Sequence, residues 1–242
     1  MSRTKPEVHT TSPVEHVLEW VGHDQGGFFK VYDKDTKTTA EVKLPLRFAY
    51  LDCKKAVAGY YEAVKRGFYS NEIRNTKKQA FEVKYYKDGA VHPVANGLWD
   101  DIKGDIGSKG AKFCNMVYAT LLTATDAIGS GTLVKIPFVG SAGSAWIDLA
   151  IKDGESFEIT GFVDKVKGRT KYREPVIVKV EISEEEGALA NEHDAALQAY
   201  FAAGKPAATQ DESAPDRDEV PHSVIDEQEH MVPEDDSDLV PF

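Results

Sequence analysis

The sequence predicts a mainly β fold, an antiparallel Greek-key barrel with one or two helices, followed by a disordered acidic C-terminal tail. Across the first 182 residues, short runs rich in β-branched and aromatic residues are bounded by Gly, Pro, Asp or Asn. Turn sequences such as GHDQGG, DKDT and VKGRT separate these runs at a spacing that suits antiparallel strands rather than alternating strands and helices. Acidic residues then become dominant, and a chain of 242 residues has room for one domain plus such an appendage.

The body spans residues 14–182, after a flexible N-terminus of residues 1–13. Its pattern is typical of the OB-fold, a small Greek-key barrel. A β-sandwich of the same strands is the alternative, because alternation along a strand does not reveal whether the sheet closes. The predicted helices are Lys54–Lys65 and Leu98–Ile106, and the predicted strands are Val14–Val21, Phe28–Tyr32, Thr39–Leu44, Arg47–Leu51, Ala80–Tyr86, Lys112–Leu122, Thr132–Val139, Ser144–Ile151, Ser156–Val166 and Tyr172–Ile182.

The acidic residues are concentrated at the C-terminus. Residues 183–242 hold 17 acidic and two basic residues, a formal charge of −15, whereas the first 182 residues carry +4. Within the acidic segment 183–204, early acids and apolar residues at helical spacing predict a short amphipathic helix over Glu184–Ala203, which Gly204 ends. Residues 205–242 have too few apolar side chains to offset the loss of chain entropy on folding, which predicts disorder.

Composition and motifs exclude several classes of protein. No apolar run reaches the roughly 20 residues that span a bilayer, and the N-terminus lacks a secretory signal, so we expect a cytoplasmic protein without membrane contact. Cys53 and Cys114 lie far apart and the histidines are scattered, so we expect free thiols, no metal and no cofactor. P-loop, GxSxG, HExxH and strand-associated GxGxxG motifs are absent, which favours a protein that is not an enzyme.

Three carboxylates are the strongest sign of catalysis in this sequence. Asp100, Asp101 and Asp105 could bind magnesium, as in a metal-dependent nuclease or nucleotidyl enzyme. Their i, i+1, i+5 spacing points them to different sides of a short helix, so charge at a helix end is the favoured interpretation.

The segment from Lys54 to Lys87 combines basic and aromatic residues. It holds nine lysines and arginines, three acids, and seven Phe and Tyr residues. Single-stranded nucleic acid requires this mixture, with cations along its backbone and rings under its bases. The alternative is that the rings form a core which the lysines solvate. We predict Tyr60, Tyr61, Tyr69, Tyr85 and Tyr86 as stacking residues, and Arg74, Lys77, Lys78 and Lys84 as phosphate ligands.

A second basic strip lies in the sequence DKVKGRTKYRE. Five basic residues occur there at every second position. On an extended hairpin bent at Gly168, this spacing predicts that all five lie on one side and Tyr172 on the other. The strip either grips phosphates or is a solvated hairpin that avoids edge pairing. Its cations are Lys165, Lys167, Arg169, Lys171 and Arg173.

The chain ends in an acidic run followed by apolar residues. This end resembles the C-terminal tip of bacterial single-stranded DNA-binding proteins, in which acids precede a terminal Ile-Pro-Phe or similar. In the body, LPLRFAYLD, GFYSNEIRNTKKQAFEVKYYKDG and the GLWDDIK to GAKFCNMVYA region resemble bacteriophage single-stranded DNA-binding proteins of the same length. Ser237 with Leu239-Val240 departs from the bacterial pattern. The predicted partner-binding tip is Asp235, Asp236, Asp238, Leu239, Val240, Pro241 and Phe242.

The resemblance implies an OB-type fold, sequence-independent binding of single-stranded DNA, and a tail that recruits replication and recombination enzymes, in the host bacterial cytoplasm if the protein is phage-encoded. A terminal ring in an apolar pocket, with its α-carboxylate against a partner's Arg or Lys, is a known way to capture a chain end. We expect the free tail to compete with phosphates for the protein's own basic groove. The sequence leaves open a homo-oligomer, and the alternatives in function are the metal-dependent nuclease or nucleotidyl enzyme and an RNA-binding or adaptor protein.

Overall fold

The computed structural model describes residues 12–203, except residues 24, 34 and 35 and the side chain of residue 33. The predicted mainly β class is confirmed for this part of the chain, which contains twelve strands and three helices. The strands are β1 (His16–Val21), β2 (Phe28–Asp33), β3 (Thr38–Val42), β4 (Leu46–Tyr61), β5 (Arg66–Gly67), β6 (Tyr69–Ser70), β7 (Phe81–Lys87), β8 (Ala90–Gly97), β9 (Ala111–Leu121), β10 (Thr132–Val139), β11 (Ser156–Lys167) and β12 (Thr170–Val180). The helices are α1 (Trp99–Ser108), α2 (Gly140–Leu149) and α3 (Glu184–Ala202).

The larger of two sheets is a strongly curled half-barrel. Its strands follow the order β12-β11-β4-β9-β10-β1-β2-β3, with β5 beside the end of β4. Among the described strands, only β1 and β10 pair in parallel. Apolar side chains fill the inside of the curl, where Phe48, Phe138 and Phe157 are fully buried. Helix α2 follows β10 directly and packs Trp146 onto this core, 5.1 Å from the ring of Phe157.

The smaller sheet contains β6, β7 and β8 and has a core of its own. Phe81 and Val83 of β7 are buried and form one cluster with Val57 of β4 and Ile106 of α1. Alternate residues of a strand point to opposite sides, so the inner face of this sheet covers the far end of β4 and β9. The outer face is left toward solvent.

Helix α3 packs against β4 and β9, as its contacts show. A capping box fixes its first turn, since the Ser183 hydroxyl accepts from the Glu186 N–H and the Glu186 carboxylate accepts from the Ser183 N–H. Leu197 is fully buried, and the Phe201 ring lies 5.3 Å from that of Tyr118 on β9. The helix predicted over Glu184–Ala203 is therefore confirmed.

Two predicted elements are wrong. The segment predicted as helix Lys54–Lys65 continues strand β4 as far as Tyr61, because β9 pairs with it up to Gly59. Gly59 adopts a φ of 125°, which no helical residue has, and a Cβ there would lie 2.3 Å from the Gly110 carbonyl oxygen. The segment predicted as strand Ser144–Ile151 belongs largely to helix α2, because Ala142 and Trp146, four residues apart, both face the core.

One strand of the small sheet was missed by the sequence analysis, whereas the state of the two cysteines agrees with it. Strand β8 was not predicted. Its Pro93 is a residue that is unusual inside a strand, and it lies next to a bulge in the β7–β8 pairing. Cys53 and Cys114 are free thiols as expected, and burial raises the pKa of Cys114 to about 12.

Within the described residues, no helix is both long and apolar enough to cross a membrane. Residues 1–11 and 204–242, for which a flexible N-terminus, a disordered tail and a partner-binding tip were predicted, lie outside the described residues.

Candidate nucleic-acid interface

Two tyrosines project from the outer face of the small sheet. Tyr69 is 39% exposed and Tyr86 is 46% exposed, although both belong to strands. Tyr69 on β6 is paired directly with Lys84 on β7, and Tyr86 lies two residues further along β7, so all three side chains share one face. Partial burial raises the pKa of Tyr69 and the nearby phenol of Tyr86 adds to this effect, which agrees with two adjacent rings. We call this outer side of β6, β7 and β8 the tyrosine face.

The rest of the tyrosine face comes from cross-strand partners. Val91, which is 53% exposed, pairs with Tyr86, and Pro93 pairs with Lys84. Asn96 pairs with Glu82 at the other end of β7. A shallow depression of about 420 Å³ lies where the bulge separates β7 from β8, lined by Glu82, Lys84, Pro93, Asn96 and three neighbouring residues. The face thus has an aromatic end and a polar end.

Two other predicted stacking residues, Tyr61 and Tyr85, pack against other rings, and Tyr61 also packs against the second core. The Tyr61 ring stacks on Phe68 at 5.2 Å and meets Tyr85 edge-on at 5.9 Å. Tyr85 also stacks on His92 at 4.9 Å. Tyr60 is half-buried and pairs with Gly67. In this structure Tyr61 and Tyr85 pack against other rings, and of the five predicted stacking residues only Tyr69 and Tyr86 are exposed.

The predicted phosphate ligands of the same segment differ in their surroundings. Arg74 forms a two-point ion pair with Asp52, with nitrogen to oxygen distances of 2.9 and 2.6 Å, and the Asp52 side chain is only 7% exposed. This geometry ties Arg74 to the sheet. Lys77 and Lys78 lie exposed in the turn before β7. Lys84 is held near Glu82, with 3.5 Å between the ammonium and the carboxylate.

The basic strip forms the hairpin β11–β12, but its five cations do not share one side. Lys167 pairs with Thr170, which leaves a two-residue turn, so odd-numbered residues of β11 face the same way as even-numbered residues of β12. Lys165 and Lys167 therefore lie on one face together with Tyr172, and Lys171 and Arg173 lie on the other. The prediction of a single basic side is wrong because it ignored the number of residues in the turn.

Only part of the basic strip faces solvent without an ion pair. Lys165 is paired with Glu174 and Arg173 with Asp164. At the hairpin tip the exposed cations Lys167, Arg169 and Lys171 form no ion pair with any other described residue. Three positive charges are thus available at the tip for an anionic ligand.

Arg173 anchors the hairpin to the β1–β2 turn. Its guanidinium lies 4.4 Å from the centre of the Phe162 ring and donates to the Gly26 carbonyl. Its backbone N–H donates to the Gly22 carbonyl, and its carbonyl accepts from the Trp20 indole at 3.1 Å. A Cβ at Gly27 would lie 2.4 Å from the Phe162 ring. The turn and the hairpin are therefore fitted closely to each other.

Replacing Arg173 by alanine is expected to loosen the hairpin. Loss of the charged hydrogen bonds and of the ring contact should lower its local opening free energy by about 1–3 kcal/mol. Amide hydrogen exchange measured by mass spectrometry should accelerate about tenfold or more in residues 162–173, and stay unchanged in β4 and β9. Lys171→Ala, which removes a cation from the same face, is the control and should leave exchange unchanged. Equal exchange in Arg173→Ala and the parent protein would contradict the anchoring role.

The acidic residues proposed for an enzyme are dispersed. Asp100 is paired with Lys103 at 2.8 Å and Asp105 with Lys109 at 2.8 Å, both along the exposed side of α1. Nearby lysines, Lys103 first, lower the pKa of Asp100. Among the described residues, no group of three or more His, Cys, Asp or Glu is arranged to hold a metal ion.

Comparison with models of protein families, with curated proteins and with solved structures gives no match for this chain. Glu82 and Asn96 of the tyrosine face were not predicted as site residues. Alternation in the predicted strand Ala80–Tyr86 could have indicated Glu82, because Glu82, Lys84 and Tyr86 alternate there with apolar Phe81 and Val83.

Proposed function

We propose that the chain is a non-enzymatic protein that binds single-stranded DNA without requiring a particular sequence. The observation that carries this proposal is the exposure of Tyr69 and Tyr86 on one sheet face, beside Lys84. A large ring is normally buried for its apolar area, and two adjacent exposed rings favour an interaction surface. Every base has a flat face that can stack on such a ring, so binding of this kind tolerates any sequence.

The spacing of the two rings suits neighbouring bases. Tyr69 and Tyr86 are diagonal neighbours on adjacent strands, a relation that separates Cα atoms by roughly 7–8 Å. Bases of an extended strand can be splayed over aromatic residues of a sheet at such separations, with two or three bases per sheet. The tyrosine face would therefore hold about two nucleotides.

Cations on the same chain would contact the phosphates. Lys84 lies beside both tyrosines, and Lys77 and Lys78 precede β7. The hairpin tip adds Lys167, Arg169 and Lys171, which form no ion pair with the part of the chain that the structure describes. Neutralising about six phosphates of a single strand would make the logarithm of the affinity fall with a slope of about −4 against the logarithm of salt concentration.

We further propose that the half-barrel is an OB-type barrel, that the protein acts in phage replication or recombination in the bacterial cytoplasm, and that the acidic tip recruits replication and recombination enzymes. The support for these three points is the sequence resemblance and the acidic run before Pro241-Phe242. The charge difference between body and tail supports competition between the tail and DNA.

The proposal is tested by titrating the full chain with labelled oligo-dT, an oligonucleotide of mixed sequence, RNA and duplex DNA at several salt concentrations. We expect both single-stranded DNAs to bind with affinities within about tenfold of each other, duplex to bind more weakly, tyrosine and tryptophan fluorescence to be quenched, and the salt slope to be as given above. Equal affinity for duplex would contradict the proposal, and stronger binding of RNA would favour an RNA-binding protein. Cleavage of the labelled strand only when magnesium is added would favour the nuclease alternative.

A further inference from the structure

A carboxylate lies at the polar end of the tyrosine face, where a polyanion would be expected to meet cations only. Glu82 pairs with Asn96 across the sheet, and its side chain is 59% exposed. The backbone N–H of Glu82 donates to the Asn71 side chain at 2.7 Å, which fixes the strand at this point. Glu82 is therefore displayed on a rigid sheet rather than on a loop.

Stability does not explain this carboxylate. Its contact with Lys84 spans 3.5 Å between exposed groups, and pairs of this kind contribute at most about 1 kcal/mol to folding. Toward a phosphate Glu82 would be repulsive. A neutral base edge is the part of a DNA strand that can approach an exposed carboxylate with a favourable hydrogen bond.

The geometry of the neighbours indicates which part of the strand meets Glu82. Tyr69 and Lys84 form the row of paired residues next to Glu82 and Asn96, so a base stacked on Tyr69 has these polar groups within reach of one of its edges. The depression beside them, about 420 Å³, has room for such an edge. Glu82 would accept a hydrogen bond there, while Lys84 can only donate one.

Nucleic-acid bases differ in the hydrogen-bonding edge that they offer to Glu82 and Lys84. Cytosine and adenine each carry an exocyclic amino donor beside a ring-nitrogen acceptor, and the amino group of cytosine is a known partner of Glu. Uracil and thymine carry carbonyl oxygens on both sides of their single N–H donor, and these oxygens would be repelled by the carboxylate. The Glu82 carboxylate, which can only accept hydrogen bonds, therefore discriminates between bases that carry an exocyclic amino group and uracil or thymine.

We propose that Glu82 gives the tyrosine face a preference for bases that carry an exocyclic amino group over uracil and thymine. This inference rests on the proposed function and adds a base preference to binding that requires no fixed sequence. Modest preferences of this size are compatible with stacking as the main source of affinity.

The test compares oligo-dC with oligo-dU of equal length on the full chain, because cytosine and uracil differ only at the edge in question. One added hydrogen bond predicts that oligo-dC binds about threefold to tenfold more tightly. Glu82→Gln should bring the ratio of the two dissociation constants close to one, since an amide can turn its N–H₂ toward a carbonyl oxygen. The ratio is used because removing a negative charge strengthens the binding of both oligonucleotides equally.

Glu41→Gln is the matched control, because it removes one exposed carboxylate from a strand of the other sheet. It should keep the parent ratio. A ratio of one in the parent protein, or an unchanged preference in Glu82→Gln, would overturn the inference while leaving the proposed function intact. Failure of both oligonucleotides to bind would overturn both.

Discussion

Replacing Tyr69 and Tyr86 together by alanine is expected to weaken binding of oligo-dT by about 30-fold or more. Each stacked base contributes about 1–3 kcal/mol when its ring is removed, so the two rings together should contribute about 2–6 kcal/mol. Neither side chain belongs to the hydrophobic cores, so the thermal unfolding midpoint should change little. Fluorescence titration at fixed salt measures the affinity, and circular dichroism follows unfolding.

Two controls separate stacking from other effects of these substitutions. The double variant Tyr69→Phe and Tyr86→Phe keeps both rings and should retain most of the affinity. Val91→Ala removes exposed apolar surface from the same face without removing a ring, and should have a small effect. If the double alanine variant binds oligo-dT as tightly as the parent protein, the tyrosine face is not the DNA-binding surface.

Deleting residues 205–242 is expected to strengthen binding of single-stranded DNA by roughly tenfold or more at low ionic strength. The deletion removes 12 acidic and two basic residues, which changes the formal charge by +10. Loss of repulsion and of competition for the basic surface both act in the same direction, and both weaken as salt screens the charges. Titrations at low and high salt test this, and weaker binding by the truncated chain would contradict competition by the tail.

Removing Phe242 alone separates recruitment from competition. All acidic residues stay in place, so affinity for DNA should hardly change. The terminal ring is lost and the α-carboxylate is moved to Pro241, so capture of purified replication and recombination enzymes should fail. Retention of every partner by the Phe242 deletion would show that the tip only adds charge.

The sequence predicted strand Ala80–Tyr86 correctly, because alternation of apolar and polar residues along a strand is a local property. Its assignment of both Tyr85 and Tyr86 as stacking residues did not follow that alternation, since neighbouring residues of a strand point to opposite faces. Phe81 and Val83 point into the second core, and Glu82, Lys84 and Tyr86 point away from it. The same reasoning failed at Lys54–Lys65, where residues of good helical propensity lie in a strand. Pairing of β4 with β9 decides that conformation, and pairing between distant segments outweighs weak local preferences.

The basic residues were found from the local sequence, but some of their ion-pair and hydrogen-bond partners lie far away in the chain. The sequence identified every cation of the candidate interface, but not which of them is already engaged. Arg74 meets Asp52, 22 residues earlier, and Arg173 meets Gly26, 147 residues earlier. Such contacts depend on which strands are neighbours, and composition around a cation does not contain this information.

The sequence by itself determined the mainly β class, the helix Glu184–Ala202, the concentration of acidic residues after residue 182, and the segment that carries the exposed tyrosines. These properties follow from composition and from periodicity over a few residues. Only the tertiary structure decided that Tyr69 and Tyr86 share a solvent-facing surface while Tyr61 and Tyr85 pack against other rings. It also decided that the hairpin cations lie on two faces. The physical reason is that strand register and turn length set the direction of each side chain relative to residues far away in the chain.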